Sequence, residues 1–442
     1  MNSKIPKNFN LAWPLAVNAL LMQSMLMIDT LLVAPLGELA VAAMGLATTV
    51  VTFVLGLDIA IGNGIQLLVG RVHGANSKEQ LAVSYWSGIV INLSAALAFF
   101  IILSLFSTQI ITFIVGEQLH NEALISLTVS YIDIVKYVVL ISAYTQVCTA
   151  VFNGQGKTRV PLLSFIFELP LNAVLSYFLI FGIGDFSGLG LEGAAWGSVT
   201  ALVFRAAFLH SALMRNQHGV FSFPRNSAFL PSLKKQFDEI YPIAANFFVL
   251  SVGATVYQLL FAQLSLYSFV AITLISPWIK AATQFPSAWA QASAITVSQA
   301  IGKNDLGDIR SFAHECTKMG INIAIAVACL LFILSLTIES IFTNLEAETL
   351  FALGLIAPVY ILLPIIRAYN TVSGNILRAV GKSKLVLNLH FITQWGIALP
   401  LCALLILYFD ASIFWAFAMM PFEEALKIGP FYYFKKRFLP HL

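Results

Sequence analysis

The chain has 442 residues, of which 59% are hydrophobic and only 10% are Asp, Glu, Lys or Arg, whereas an average soluble domain carries about 25% charged residues. So few charges cannot clothe a water-soluble fold of this apolarity, which excludes a soluble enzyme, a disordered chain and a nucleic-acid binder; lipid is the solvent for most of the molecule. The net charge of +3 is small, and four scattered cysteines (Cys148, Cys316, Cys329 and Cys402) show no CxxC spacing and read as small apolar residues.

The start, Met1 to Asn10, is short and polar with Lys4 and Lys7, and runs into an apolar stretch that has no small-residue cleavage site. That stretch is expected to be the first membrane helix. At about 20 apolar residues per crossing, twelve spans are predicted, near 11–34, 39–69, 82–106, 124–152, 160–182, 191–214, 239–263, 268–300, 319–342, 350–377, 385–408 and 411–434. The second, fourth, eighth and tenth are long enough to tilt or to project from the bilayer.

The loops test that count, because Lys and Arg gather on the cytoplasmic side. After Lys4 and Lys7, alternate loops carry Arg71 and Lys78, then Lys157 and Arg159, then Arg215, Arg225, Lys234 and Lys235. The same side continues with Lys303, Arg310 and Lys318, then Arg378, Lys382 and Lys384, and ends with Lys435, Lys436 and Arg437. The opposite loops carry Glu38, Glu117, Glu122, Asp185, Glu192, Glu346, Glu348 and Asp410, with no Lys or Arg. The alternation predicts an even number of spans in the inner (plasma) membrane, with both termini in the cytoplasm.

The sequence also repeats itself. WPLAVN at Trp13–Asn18 matches YPIAAN at Tyr241–Asn246, 228 positions on, and the same offset carries Gly74 and Asn76 onto Gly302 and Asn304. GKTR at Gly156–Arg159 matches GKSK at Gly381–Lys384 at an offset of 225. Each half therefore holds six helices and enters from the same side. The expected fold class is an all-α membrane protein of twelve helices, in two six-helix bundles related by a pseudo-two-fold along the membrane normal. The expected boundaries are 1–214 for the first lobe, 215–238 for a cytoplasmic linker containing Pro224 and Pro231, and 239–442 for the second lobe.

An ionisable residue at membrane depth costs at least about 2.5–3.5 kcal/mol, so each needs a partner or a role. Asp29 lies deep in the first span, and its repeat mate is Tyr257, which favours a single ion site in the first half. The alternatives at Asp29 are a permanently protonated, hydrogen-bonded acid and a carboxylate whose proton comes and goes. In the fifth span, Glu168, Asn172 and Ser176 stand at i, i+4 and i+8 on one helical face. Pro170 lies between them; it and Pro14 in the first span are expected hinges. That stripe suits a proton or cation site, or else a polar seam between helices. Met22, Met25 and Met27, with Gln23, line the approach to Asp29; they read as lipid or core contact, or as a soft pocket for varied substrates.

Elsewhere Asp133 with Lys136, and Glu423 and Glu424 with Lys427, are expected to neutralise each other. Asp58, Arg205, Lys280 and Arg367 are expected near helix ends, where long side chains snorkel to water, and His390 is expected to be packed and neutral. Gly182–Asp185 spells GxGD, a signature of intramembrane aspartyl proteases. That chemistry needs two carboxylates sharing a proton within the membrane, whereas Asp185 falls in a loop and the preceding span offers no second Asp after a Tyr or Leu. No Walker A motif, no Ser-His-Asp order and no metal-ligand cluster appears, so neither an ATP-driven machine nor a cofactor or metal enzyme is expected.

Taken in order, these residues resemble the MATE multidrug exporters over nearly the whole chain. Ile28–Ala47 looks like the family's first-helix signature, Phe152–Pro161 like its loop before helix five, Leu171–Gly182 like its helix-five pattern, and Gly190–Ser198 like the start of its helix six. VGRVHGANS and VSQAIGKND resemble its paired helix-two and helix-eight ends. The resemblance implies a two-lobed antiporter that exports cationic or amphipathic compounds in exchange for protons or sodium. It implies that Asp29 is a coupling residue of the proton-linked DinF-type branch, with Asn172 in the same cluster and Ser198 near its helix-six hydroxyl. The second-lobe acids of the sodium-linked NorM type are missing. The family's helix-five Asp is Ser176 here, and Glu168, one turn before Asn172, is the candidate replacement. The expectation is thus a monomeric, proton-coupled exporter of amphipathic cations, with no cofactor. Sodium coupling, or a lipid or metabolite flippase of the same build, is the rival, and for the flippase Arg205, Lys280 and Arg367 would have to face one cleft together.

Overall fold

The computed structural model describes residues 4–115, 122–185, 187–216, 218–224, 229–305, 307, 309–341 and 345–439; Glu117 and Arg225, two of the loop charges used above, lie outside them. In lipid, backbone N–H and C=O groups have no partner but their own segment, so apolar spans of this length fold as helices. The first half supplies α1 (Lys4–Val33), α2 (Glu38–Gly74), α3 (Lys78–Val115), α4 (Glu122–Gly154), α5 (Arg159–Phe181) and α6 (Leu191–Asn216). The second half supplies α7 (Phe229–Phe261), α8 (Leu266–Ala282), α9 (Gln284–Gly302), α10 (Ile309–Ile341), α11 (Ala347–Ala379), α12 (Ser383–Phe391), α13 (Leu399–Leu407) and α14 (Ile413–Phe438).

Two expected spans are broken. The eighth parts at Thr283 into α8 and α9, and the eleventh is α12 and α13 joined by a π-helical stretch, Ile392–Ala398. Pro400 follows that stretch at the start of α13; it has no N–H to donate back, and a π turn absorbs the missing rung. Among the described residues, eleven helical stretches are long and apolar enough to cross a membrane. The predicted twelfth, α14, has 26 residues and falls short only in composition, because Glu423, Glu424 and Lys427 sit buried in its middle. Pro14 and Pro170 lie inside continuous helices, α1 and α5.

The chain separates into two compact units: Val17–Tyr241, and Met1–Ala16 together with Pro242–Leu442. In the first, Val33, Met44, Tyr131, Ile132 and Val139 form the buried core; in the second, Phe261, Tyr360, Leu363 and Phe417 do so. Lipid is as apolar as these side chains, so close packing and polar bonds, not exclusion from water, hold the helices together. Large apolar residues on the outside, such as Phe113 at 87% exposure, have lipid as their natural neighbour.

Two helices change unit along their length. α1 gives its first turns to the unit of the second half, where Asn8 donates from Nδ2 to Ser293 Oγ at 3.1 Å and accepts at Oδ1 from Thr296 at 3.1 Å. α7 gives its start to the unit of the first half, where Arg71 pairs with Glu239 at 2.6 Å. The changes fall just after Pro14 and at Pro242, which are repeat mates. The repeat extends to backbone geometry. Asn76 (φ 55°) and Asn304 (φ 56°), and Gly156 (φ 83°) and Gly381 (φ 80°), each end a helix in the left-handed region. Lys157 N–H reaches Phe152 O at 2.8 Å and Lys382 N–H reaches Leu377 O at 2.9 Å, the same six-to-one closure in both halves.

One glycine governs the spacing of α5 and α6. A Cβ at Gly197 would fall 2.8 Å from Ser176 Cα, and against the Ser176 hydroxyl itself. Gly197→Ala is expected to force the two helices apart at a cost of about 1–3 kcal/mol, read as a lowered thermal midpoint of the purified protein; an unchanged midpoint would show that the contact yields freely.

Candidate functional site

In the unit Val17–Tyr241, α1, α5 and α6 bring Asp29, Asn172, Ser176 and Ser198 together. Asn172 Nδ2 donates to Asp29 Oδ1 at 2.8 Å, and Ser176 Oγ donates to Asn172 Oδ1 at 3.2 Å. The Ser198 hydroxyl is a second hydrogen-bond partner of the Asp29 carboxylate. Asn172 and Ser176 are buried and Asp29 is half-buried. The i, i+4 spacing of Asn172 and Ser176 stacks them on one face of α5, so the serine orients the amide and the amide presents N–H groups to Asp29. Asp29 has no basic partner among the described residues. The site is thus an acid faced by hydrogen-bond donors and left without a counter-charge.

Glu168 shares this face of α5 but its charge is met elsewhere. Arg205 on α6 pairs with it through Nη1 at 3.2 Å, donates from Nε to Ser164 Oγ at 3.3 Å, and lies over the Phe165 ring at 4.4 Å. Both members of the pair are buried. Arg205, expected to snorkel at a helix end, is instead the local counter-ion of Glu168. On α1, helical spacing puts Met22 and Met25 on the face of Asp29, while Gln23 and Met27 turn away from it; Met27 is 67% exposed.

Three features escaped the sequence reading. Asp58 is buried in α2, not at its end; its Oδ2 has no hydrogen-bond partner, and Ser142 on α4 bonds the carboxyl group. His390 has a partner, Asn246 Oδ1 at 2.7 Å. The third is a charged cluster around a cavity of about 360 Å³ in the other unit. There Tyr257, the repeat mate of Asp29, donates to Glu423 Oε2 at 3.0 Å, and Lys427 pairs with Glu423 at 2.7 Å. Glu424 meets Arg367 at 3.3 Å and accepts from Asn370 Nδ2 at 2.8 Å. The spacing of Glu423, Glu424 and Lys427 had indicated mutual neutralisation, but nothing in the sequence pointed to α7 or α11 as partners. Here the acids are paired with cations, in contrast with Asp29.

Comparison with known proteins places this geometry in a family. The MatE family model matches the chain twice, at residues 14–178 and 242–404. The chain belongs to the MATE family. The two matches begin 228 positions apart, the offset of the internal repeat. The chain is 22% identical over 416 residues to the uncharacterized transporter YisQ of Bacillus subtilis, covering 90% of this chain and 86% of that protein. It is 25% identical over 405 residues to the multidrug resistance protein NorM of Burkholderia vietnamiensis, covering 88% and 84%. Among solved structures it resembles the Vibrio cholerae MATE transporter VcmN in the bent form, with a TM-score of 0.87, 18% identity and coverage of 99% and 97%. A MATE crystal structure in the bent conformation gives a TM-score of 0.87 at 15% identity, covering 98% and 95%. The MATE chain described here is therefore a multi-pass membrane transporter and not an enzyme.

The buried pair yields a prediction. Glu168→Gln leaves the Arg205 guanidinium buried without its counter-ion, which is expected to cost about 3–5 kcal/mol. Glu168→Gln with Arg205→Met should recover most of the loss, because both charges then disappear. Thermal unfolding in detergent checks both; a double variant no more stable than the single one would mean that the pair is not the unit of stability.

Proposed function

We propose that this MATE protein is a secondary active multidrug exporter of the DinF type, exchanging amphipathic organic cations for protons by alternating access between two six-helix lobes. It works as a monomer in the inner (plasma) membrane with both termini in the cytoplasm. The observation that carries the reading is the Asp29 cluster: an acid at membrane depth, with donors in place and no resident cation. A carboxylate so placed attracts either a proton or the positive end of a substrate, and the two compete for the same oxygens. The ionised form accepts from Asn172 and Ser198 and holds a cationic substrate. Protonation from outside removes the charge and with it the attraction. Each ligand shifts the two-state equilibrium only by its differential affinity for the two states.

The orientation of Asn172 favours the proton over sodium. A sodium ion needs oxygen ligands, but the amide turns its N–H toward Asp29 and its Oδ1 toward Ser176. Sharing sodium between Asp29 and Asn172 requires the amide to flip and break both bonds, whereas a proton on Asp29 requires neither. The flippase rival needs unpaired cations, but Arg205 is matched by Glu168 and Arg367 by Glu424, and Lys280 is exposed. Pro14 and Pro170 remain the proposed hinges of the exchange; of the expected substrate contacts, Met22 and Met25 share the face of Asp29 and are the ones proposed, whereas Met27 and Gln23 turn away.

In membrane vesicles carrying an imposed proton gradient, Asp29→Asn should lower export of a fluorescent lipophilic cation by about tenfold or more, since a tenfold loss corresponds to only about 1.4 kcal/mol of coupling. Export by the wild type should be unaffected when sodium is replaced by choline. Undiminished transport in Asp29→Asn removes that acid from the mechanism, and export driven by a sodium gradient alone overturns proton coupling.

A further inference from the structure

The unit Met1–Ala16 with Pro242–Leu442 holds a second cavity, of about 580 Å³, between α10, α11 and α14. No step of the transport reading uses it. On α10 it is lined by Arg310, His314, Lys318 and Ile321, which recur at i, i+4, i+8 and i+11 and so form one stripe. On α14 the stripe is Tyr432, Lys435, Lys436 and Leu439, at i, i+3, i+4 and i+7. Tyr369 of α11 lies against Lys435, whose ammonium sits over its ring at 4.3 Å and donates to Thr317 Oγ1 at 3.2 Å.

Four basic side chains thus converge on one hollow, and no carboxylate lines it among the described residues. Glu315, on the same helix, stands on another face of α10. Arg310, Lys318 and Lys436 are exposed and have no ion-pair partner among the described residues. The start of α10 at Ile309 adds the positive end of a helix dipole to the same corner. Like charges brought this close repel one another, and an anion relieves the repulsion. Ala313, Ile321 and Leu439, with the rings of Tyr369 and Tyr432, give the hollow an apolar wall, which His314 and Thr317 interrupt. A hollow with cations at its mouth and an apolar wall fits a molecule with a charged head and a hydrocarbon tail. The loop before α10 and the end of α14 both belong to the side that the charge alternation assigns to the cytoplasm, the leaflet rich in anionic lipid, where basic pockets between membrane helices hold lipid head groups.

We propose that this cavity is a binding site for an anionic phospholipid, its phosphate held by Arg310, Lys318, Lys435 and Lys436 and the start of an acyl chain laid along the apolar wall. The site tethers α10 to α14, the helix that carries Glu423, Glu424 and Lys427.

The test is lipid retention. The full-length protein is taken from nanodiscs of equal phosphatidylglycerol and phosphatidylcholine, and its bound lipids are counted by native mass spectrometry. The wild type should keep phosphatidylglycerol in clear preference. Each of Arg310→Gln, Lys318→Gln and Lys436→Gln should weaken that retention about fivefold at low salt, the equivalent of the roughly 1 kcal/mol that each basic residue gains at an anionic surface. The charge-keeping set Arg310→Lys, Lys318→Arg and Lys436→Arg should retain the lipid, and 1 M salt should weaken it. Equal retention of the two lipids by the wild type, or of phosphatidylglycerol by wild type and a Lys318→Gln/Lys436→Gln variant, overturns the proposal. So does inorganic phosphate that raises the thermal midpoint in detergent as far as phosphatidylglycerol does, since the tail would then contribute nothing. These side chains are exposed, so their loss should leave the fold intact. Asp29→Asn should bind the lipid normally, and the lipid site and the proton site therefore stand or fall separately.

Discussion

A charge at membrane depth must find its counter-charge inside the protein, and that constraint orders the structure. Glu168 meets Arg205, Glu423 meets Lys427, and Glu424 meets Arg367. Each pair ties two helices, or two turns of one helix; Glu168–Arg205 and Glu423–Lys427 are buried, and Glu424–Arg367 borders the cavity of its unit. Against that background Asp29 stands apart. It is faced by donors and, among the described residues, by no cation, so it is the acid of its cluster left without a counter-charge. In the proposed exchange this matters, because a resident counter-ion would occupy the oxygens that both ligands need.

The two halves handle the same position in opposite ways. Asp29 in the first repeat becomes Tyr257 in the second, and the acid that Tyr257 contacts, Glu423, has moved to α14 and gained a lysine. The backbone frame is retained through this change. The four matched helix ends close with the same left-handed residue, and α1 and α7 both change unit at the repeat prolines Pro14 and Pro242. The fold has duplicated its scaffold and differentiated its chemistry.

The fold was legible because its determinants are local. Span length, loop charge and the 228-residue offset are each read within a window of the chain, and eleven of the twelve expected spans meet the length and apolarity of a membrane helix. The i, i+4 stripe on α5 was legible for the same reason. What the sequence concealed was pairing across helices. Arg205 and Glu168 are 37 positions apart, and no periodicity relates them, so Arg205 read as a snorkelling end residue. Asp58 was misplaced on the same ground, and the partner of the packed His390 stayed hidden: Ser142 and Asn246 lie on other helices. The breaks at Thr283 and at Ile392–Ala398 were hidden because hydropathy averages over a turn and does not register a local change of helical hydrogen bonding.

The direction of the Asn172 amide shows how a small local feature narrows the function. Sequence and resemblance lead to the expectation of a proton with sodium as the rival, and each suits a buried carboxylate beside an asparagine. The choice turns on which amide atom faces the acid. Ser176, where the resemblance implies an acid, bears on that choice in the proposed reading. Here the Ser176 hydroxyl donates to Asn172 Oδ1, and the amide N–H faces Asp29. A carboxylate at position 176 would accept, reverse the amide, and turn an oxygen toward Asp29. The serine at position 176 leaves Asp29 facing an amide N–H, which supports the proposed reading of a proton in place of sodium.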